Sequence, residues 1–135
     1  MYDELTTGTS EARTITVDRD RTIGFMGEEC RVYATPSLVQ DIEHACRDLI
    51  LARIPKGQDS VGTKVNIAHL AATMLGMQAT ITVTVSEVDG RRVVLDVSAS
   101  DTVEPICKGS HERFIVDIAK TAERLRQKAA KAGAA

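Results

Sequence analysis

The chain has 135 residues, 43% of them apolar and 27% charged, with a formal net charge of −2. That balance suits one globular domain that buries its own core. It excludes a membrane span, which needs about 20 consecutive apolar residues. It also offers no basic field for nucleic acid, and a 3% aromatic content without Trp makes a poor stacking platform for single strands.

Residues 1–12 are polar, with Gly8, Ser10 and several Thr. They are expected to form a flexible arm ahead of a single domain over 13–135. The acidic start, Met1 to Leu5, does not resemble a signal peptide. Three scattered cysteines, Cys30, Cys46 and Cys107, make no disulfide framework, which points to the cytoplasm. Thr14-Ile15-Thr16-Val17 alternates and reads as a short strand. Residues 18–31 are charged and read as a loop.

A long helix is predicted from Pro36 to about Ile54, with Thr35 as its N-cap and Pro55 and Gly57 ending it. Leu38, Ile42, Ala45, Cys46 and Leu49 form an apolar arc. Gln40, Asp41, His44, Arg47 and Asp48 lie opposite. Glu43 breaks the pattern, because it sits at the rim of the apolar arc.

The second half is rich in strands. Val61, Thr63, Val65, Ile67 and His69 share one face at period two. Thr80 to Val85 alternates, Asp89-Gly90 signals a type I′ hairpin, and Val93, Leu95, Val97 and Ala99 form the return strand. A last strand covers about Ile106 to Ile118, and a basic helical tail runs from about Lys120 to Lys131. One long apolar-faced helix beside consecutive antiparallel strands is an α+β arrangement. A helix of this kind wrapped by a curved antiparallel sheet is the hotdog fold.

Three segments carry candidate chemistry. Thr35 to Cys46 places a hydroxyl at a helix start and the Glu43 carboxylate two turns later. Ser60 to Thr73 holds Gly62-Thr63 and, further along the strand, His69. Gly109-Ser110-His111-Glu112-Arg113 follows. In order and spacing these resemble the fluoroacetyl-CoA thioesterase family of hotdog enzymes over roughly residues 14 to 120. The resemblance implies hydrolysis of a short or medium acyl-CoA, with Thr35, Glu43 and His69 as the catalytic group. Gly62 would offer a backbone N–H toward the thioester oxygen, and Arg113 would hold the site or the substrate. It further implies a homodimer with the ligand at the seam. No cofactor or metal is expected, because three histidines and three cysteines show no zinc-ligand spacing and no glycine-rich phosphate loop occurs.

The chemistry fits these residue types. Thioester hydrolysis needs a nucleophile or an activated water, and donors for the developing oxyanion. A partly desolvated carboxylate can serve as nucleophile or base. An imidazole suits proton transfer near neutrality. In one route Glu43 attacks the thioester and a water activated by His69 opens the anhydride; in another, Glu43 or His69 activates water directly.

Each residue also has a plainer reading. Thr35 caps a helix, Glu43 snorkels at a helix rim or pairs with an arginine, and His69 is a core histidine. Gly62 marks a bulge, Arg113 faces solvent, and His111 has no evident partner. Arg91, Arg92 and Lys108 either meet coenzyme A phosphates or only add solubility. Within the family, phenylalanines just before the Thr gate the pocket, whereas here Met26 to Cys30 holds no aromatic. This favours a broader acyl-CoA substrate range. A non-catalytic hotdog module that binds an acyl ligand is the other reading of the same residues.

Overall fold

A computed structural model describes residues 2–133. In chain order, β1 (Ser10–Thr16) leads through a 3-10 turn at Arg19–Arg21 to β2 (Thr22–Ile23). A second 3-10 turn at Glu28–Cys30 precedes β3 (Val32–Tyr33) and the long helix α1 (Thr35–Leu51). Then come β4 (Gln58–His69), β5 (Gln78–Asp89), β6 (Arg92–Asp101), β7 (Pro105–Asp117) and α2 (Ile118–Lys131). Five strands form one antiparallel sheet in the order β1-β5-β6-β7-β4, and β2 and β3 make a small ribbon.

The expected apolar arc of α1 lies on this sheet. Leu38, Ile42, Cys46, Leu49 and Ile50 are fully buried against Ile81, Val83, Leu95, Ile106 and Ile115. Each such side chain contributes roughly 1.5–3 kcal/mol by leaving water. The helix ends three residues earlier than expected, and the Arg53 guanidinium donates to the free Leu49 carbonyl at its C-terminus. Among the described residues, no helix is long and apolar enough to cross a membrane.

Four expectations change. Residues 2–9 are not a loose arm. Tyr2 and Leu5 join the core, the Tyr2 hydroxyl donates to Gln58, and Gly8 and Thr9 exchange backbone bonds with Val85. Two large apolar side chains outweigh the polar composition of this segment, and the expected strand starts earlier, at Ser10.

The helix cap is Ala34, not Thr35, because Ala34 supplies the carbonyl for the first helical bond, from Leu38 N–H. Thr35 already has helical backbone geometry, so its hydroxyl is free for other work.

Period two does not persist along β4. A bulge between Gly62 and Lys64 leaves Thr63 without a ladder partner, so Val61 pairs with Phe114 on one face while Gly62 pairs with Arg113 on the other. Val65, Ile67 and His69, paired with His111, Gly109 and Cys107, share the face of Gly62 and Arg113. One extra residue moves everything on one side of it to the opposite face. The Thr63 hydroxyl, extruded by the bulge, donates to the Glu112 carboxylate at 2.6 Å.

The β5–β6 hairpin turns on Gly90-Arg91, between the paired Asp89 and Arg92. Only Gly90 has a positive φ, +59°, which is the pattern of a type II′ turn rather than type I′.

Candidate active site

The start of α1 and the end of β4 meet. Thr35 Oγ1 and His69 Nδ1 share a hydrogen bond of 2.7 Å. The pair lines a cavity of about 370 Å³ walled by Ile23, Phe25, Met26, Leu70 and Ala71. Burial lowers the His69 pKa below its ordinary value, which favours the neutral imidazole. His69 Nε2 is buried and lacks a hydrogen-bond partner. A larger groove of about 600 Å³ lies over Thr82, Ser98 and Lys108, but it includes none of Thr35, Glu43 or His69.

Glu43 lies elsewhere. It stands eight positions along the helix from Thr35, a rise of about 12 Å. Its carboxylate rests against the β4 backbone at Gly62. A Cβ built on Gly62 would stand 2.5 Å from Glu43 Oε1, closer than atoms can pack. Glycine is needed here for close approach. Glu43 Oε1 is also 3.8 Å from Arg113 Nη1.

Arg113 does not face solvent, the plainer reading of its alternation with Phe114. Only 5% of it is exposed. Its Nε donates to Ser60 Oγ and its Nη2 to the Ser60 carbonyl, both at 2.7 Å. Its Nη1 donates to His111 Nε2 at 3.1 Å. His111, in turn, donates from Nδ1 to the Lys64 carbonyl at 2.9 Å, so the histidine expected to lack a partner has two. Burial, with the Arg113 charge acting in the same direction, lowers the His111 pKa against the opposing pull of the Lys64 carbonyl. The neutral tautomer with hydrogen on Nδ1 satisfies both bonds. Burial also lowers the Arg113 pKa, opposed chiefly by Glu43. The result is a fixed positive group beside the Glu43 carboxylate.

The sequence brought out neither Ser60 nor the pairing of His111. The available signal was the i, i+2 spacing of His111 and Arg113 on one strand face; the missing datum was the cross-strand register that sets Ser60 against them. Arg91 and Arg92, considered for coenzyme A phosphates, are engaged within the fold: Arg91 with Asp117, and Arg92 with Glu87 and Glu112. An aromatic does stand near Thr35. Phe25 precedes the stretch that lacks one, and it lines the cavity while 80% exposed.

The model of the fluoroacetyl-CoA-specific thioesterase family FlK matches residues 17–119. The chain belongs to that family. The fluoroacetyl-CoA thioesterase of Streptantibioticus cattleyicolor is 37% identical over 97 residues, covering 72% of this chain and 70% of that protein. A solved structure of the fluoroacetyl-CoA thioesterase FlK superposes with a TM-score of 0.84 at 31% identity, over 91% of this chain and 96% of its own. The hot-dog-like protein from Thermanaerovibrio acidaminovorans superposes with a TM-score of 0.86 at 27% identity, over 94% and 96%. The hotdog fold expected from one wrapped helix is the fold of this family, and the resemblance carried by Thr35, Glu43, Gly62, His69 and Arg113 falls within the matched residues.

Proposed function

We propose that this member of the family hydrolyses the thioester of short and medium acyl-CoA molecules to the free acid and coenzyme A. The relatives named for fluoroacetyl-CoA support the thioester, and one FlK structure holds fluoroacetate and CoA. The observation that carries the reading is the Thr35–His69 hydrogen bond at an apolar cavity. It joins a hydroxyl to a histidine of lowered pKa where an acyl group has room. The chemistry belongs in a reducing compartment, the cytoplasm, in keeping with three free cysteines.

Catalysis uses Thr35, Glu43 and His69, with Gly62 and Arg113 serving the substrate and the carboxylate. Glu43 attacks the thioester carbonyl carbon, the C–S bond breaks, and the coenzyme A thiolate leaves and takes a proton from solvent. A water then gives a proton to His69 and adds to the acyl carbon of the mixed anhydride, releasing the acid and the Glu43 carboxylate. The Thr35 hydroxyl orients the reacting groups, and the Gly62 N–H faces the developing oxyanion.

The working form is a homodimer. Within one chain, Thr35 and His69 lie about 12 Å along the helix from Glu43. The outer edge of β4 is open, and a long open strand edge is a template for pairing. Antiparallel pairing of two β4 strands about an axis near Val65 and Asn66 sets Gly62 of one copy opposite His69 of the other. Each complete site then takes Glu43 and Gly62 from one copy and Thr35 and His69 from its partner.

The test is thiol release from a panel of acyl-CoA substrates by the wild type and Glu43→Gln. The wild type turns over acetyl-CoA and several longer acyl-CoAs. Fluoroacetyl- and acetyl-CoA differ by well under a thousandfold in kcat/KM, because an apolar wall discriminates small groups by only about 1–3 kcal/mol. Glu43→Gln lowers turnover at least about a hundredfold with folding intact. Binding of acyl-CoA without turnover by the wild type would instead establish a binding module.

A further inference from the structure

We propose that Tyr33, anchored by Asp41 and Arg21, is a positioning residue that fixes the plane of the His69 ring beside Thr35. The inference rests on the reading of His69 as the group that moves the proton.

A single hydrogen bond to Thr35 holds His69 at Nδ1. The other nitrogen, Nε2, has no hydrogen-bond partner. A ring held at one atom can still rock about that bond. The second restraint is Tyr33, whose ring meets His69 edge-on, with centroids 6.4 Å apart and planes at 83°. This is a favoured aromatic geometry. Tyr33 is itself immobilised. Only 1% of it is exposed, its backbone N–H donates to the Thr73 carbonyl at 2.8 Å, and its hydroxyl donates to Asp41 Oδ2 at 2.5 Å.

Asp41 was expected on the solvated face of the helix. It is 7% exposed, because Tyr33 and Arg21 cover it. Arg21 donates to it twice, from Nε at 2.9 Å and from Nη2 at 3.1 Å, and donates from Nη1 to Asp18 at 2.7 Å. The Arg21 carbonyl also accepts from the Ala34 N–H, one residue before Thr35. One network therefore holds both members of the Thr35–His69 pair: the helix start through Ala34 and the imidazole through the Tyr33 ring. Burying the Asp41 carboxylate beneath a half-buried Arg21 costs desolvation that an apolar plug would avoid. What the charged arrangement adds is a fixed direction for the Tyr33 ring.

The experiment measures kcat and KM on acetyl-CoA, together with Tm, for the wild type, Tyr33→Phe, Asp41→Asn and His69→Ala. Tyr33→Phe keeps the volume and the ring edge but frees the ring from Asp41. Asp41→Asn keeps an acceptor for the Tyr33 hydroxyl but gives up the Arg21 ion pair. We expect Tyr33→Phe to lower kcat about tenfold with KM within about twofold, the mark of lost alignment rather than lost binding. Asp41→Asn is expected to cost more in Tm and less in kcat. Wild-type kcat in Tyr33→Phe, or the opposite ranking of the two variants, would overturn the inference and leave the network as a tie for residues 18–33. Wild-type turnover in His69→Ala would remove the proton-transfer reading itself and the inference with it. A large loss there beside an unaffected Tyr33→Phe would overturn the positioning role alone.

Discussion

The carboxylate of Glu43 occupies the space that a side chain at position 62 would need: an added Cβ at Gly62 would lie 2.5 Å from Glu43 Oε1. The bulge at Gly62–Lys64 brings Gly62 to the same sheet face as Arg113 and His111, so the carboxylate, the bare backbone and the buried guanidinium meet at one point. Gly62→Ala tests this contact directly. The intruding methyl meets the flexible end of Glu43 and lies 3.1 Å from His111 Cε1, a contact relieved by a shift of a few tenths of an ångström, and Gly62 has no positive φ, so the fold survives. The displaced carboxylate should lower kcat/KM at least about tenfold, with Tm within a few degrees of the wild type. Unchanged kcat/KM would mean that the Glu43 position is immaterial.

Thr35→Ala separates capping from chemistry. A true N-cap threonine is worth about 1 kcal/mol. Ala34 holds the cap position, and the Thr35 hydroxyl is bonded to His69 instead. The variant should lose turnover while its denaturation midpoint moves by less than about 0.5 kcal/mol of stability. Thr35→Ser should recover most of the turnover. A full capping loss with unchanged rates would reverse the assignment.

A site shared between copies has a distinctive signature. Glu43→Gln and His69→Ala homodimers are each expected to be nearly inactive. Co-expressed, they form mixed dimers in which one site carries both lesions and the other carries neither. Random pairing then restores about a quarter of wild-type activity, as an isologous two-fold assembly requires. Sites confined to single chains would show no recovery beyond the sum of the two variants.

Two histidines set a pH window for stability. Burial lowers both the His69 and the His111 pKa below the ordinary 6.5. Below pH 6.5 the unfolded chain takes up protons that the folded chain refuses, so stability falls as pH drops toward the folded values. At high pH both states are unprotonated at these groups and the effect vanishes. Tm should be level from pH 8 to about 7 and decline between about 6.5 and 5, above the range where ordinary carboxylates titrate. In His111→Asn the decline should be shallower. A flat Tm across this window in the wild type would contradict the direction of both shifts.

Local pattern made much of this legible. The apolar arc of α1 is a periodicity within one segment, and burial of Leu38, Ile42, Cys46 and Leu49 follows from it. The same arc isolates Glu43 as the charged residue at its rim. Local pattern and structure part where an element answers to something distant in sequence. Thr35 looked like a cap because a threonine before a proline usually is one, while its hydroxyl turns to a histidine that arrives with β4. Asp41 looked solvated because its helical neighbours are polar, while Arg21 and Tyr33 close over it.

The one long helix, the run of antiparallel strands, and the spacing of Thr35, Glu43, Gly62, His69 and Arg113 can all be read from residue order, because periodicity and spacing are local properties of the chain. Which groups touch follows instead from how distant segments pack. A one-residue bulge reverses the facing of part of β4, and cross-strand register brings Ser60 and His111 to Arg113. The rise of a rigid helix separates Glu43 from the Thr35–His69 pair. These contacts depend on non-local pairing and burial, where a shift of one residue exchanges the two faces of a strand.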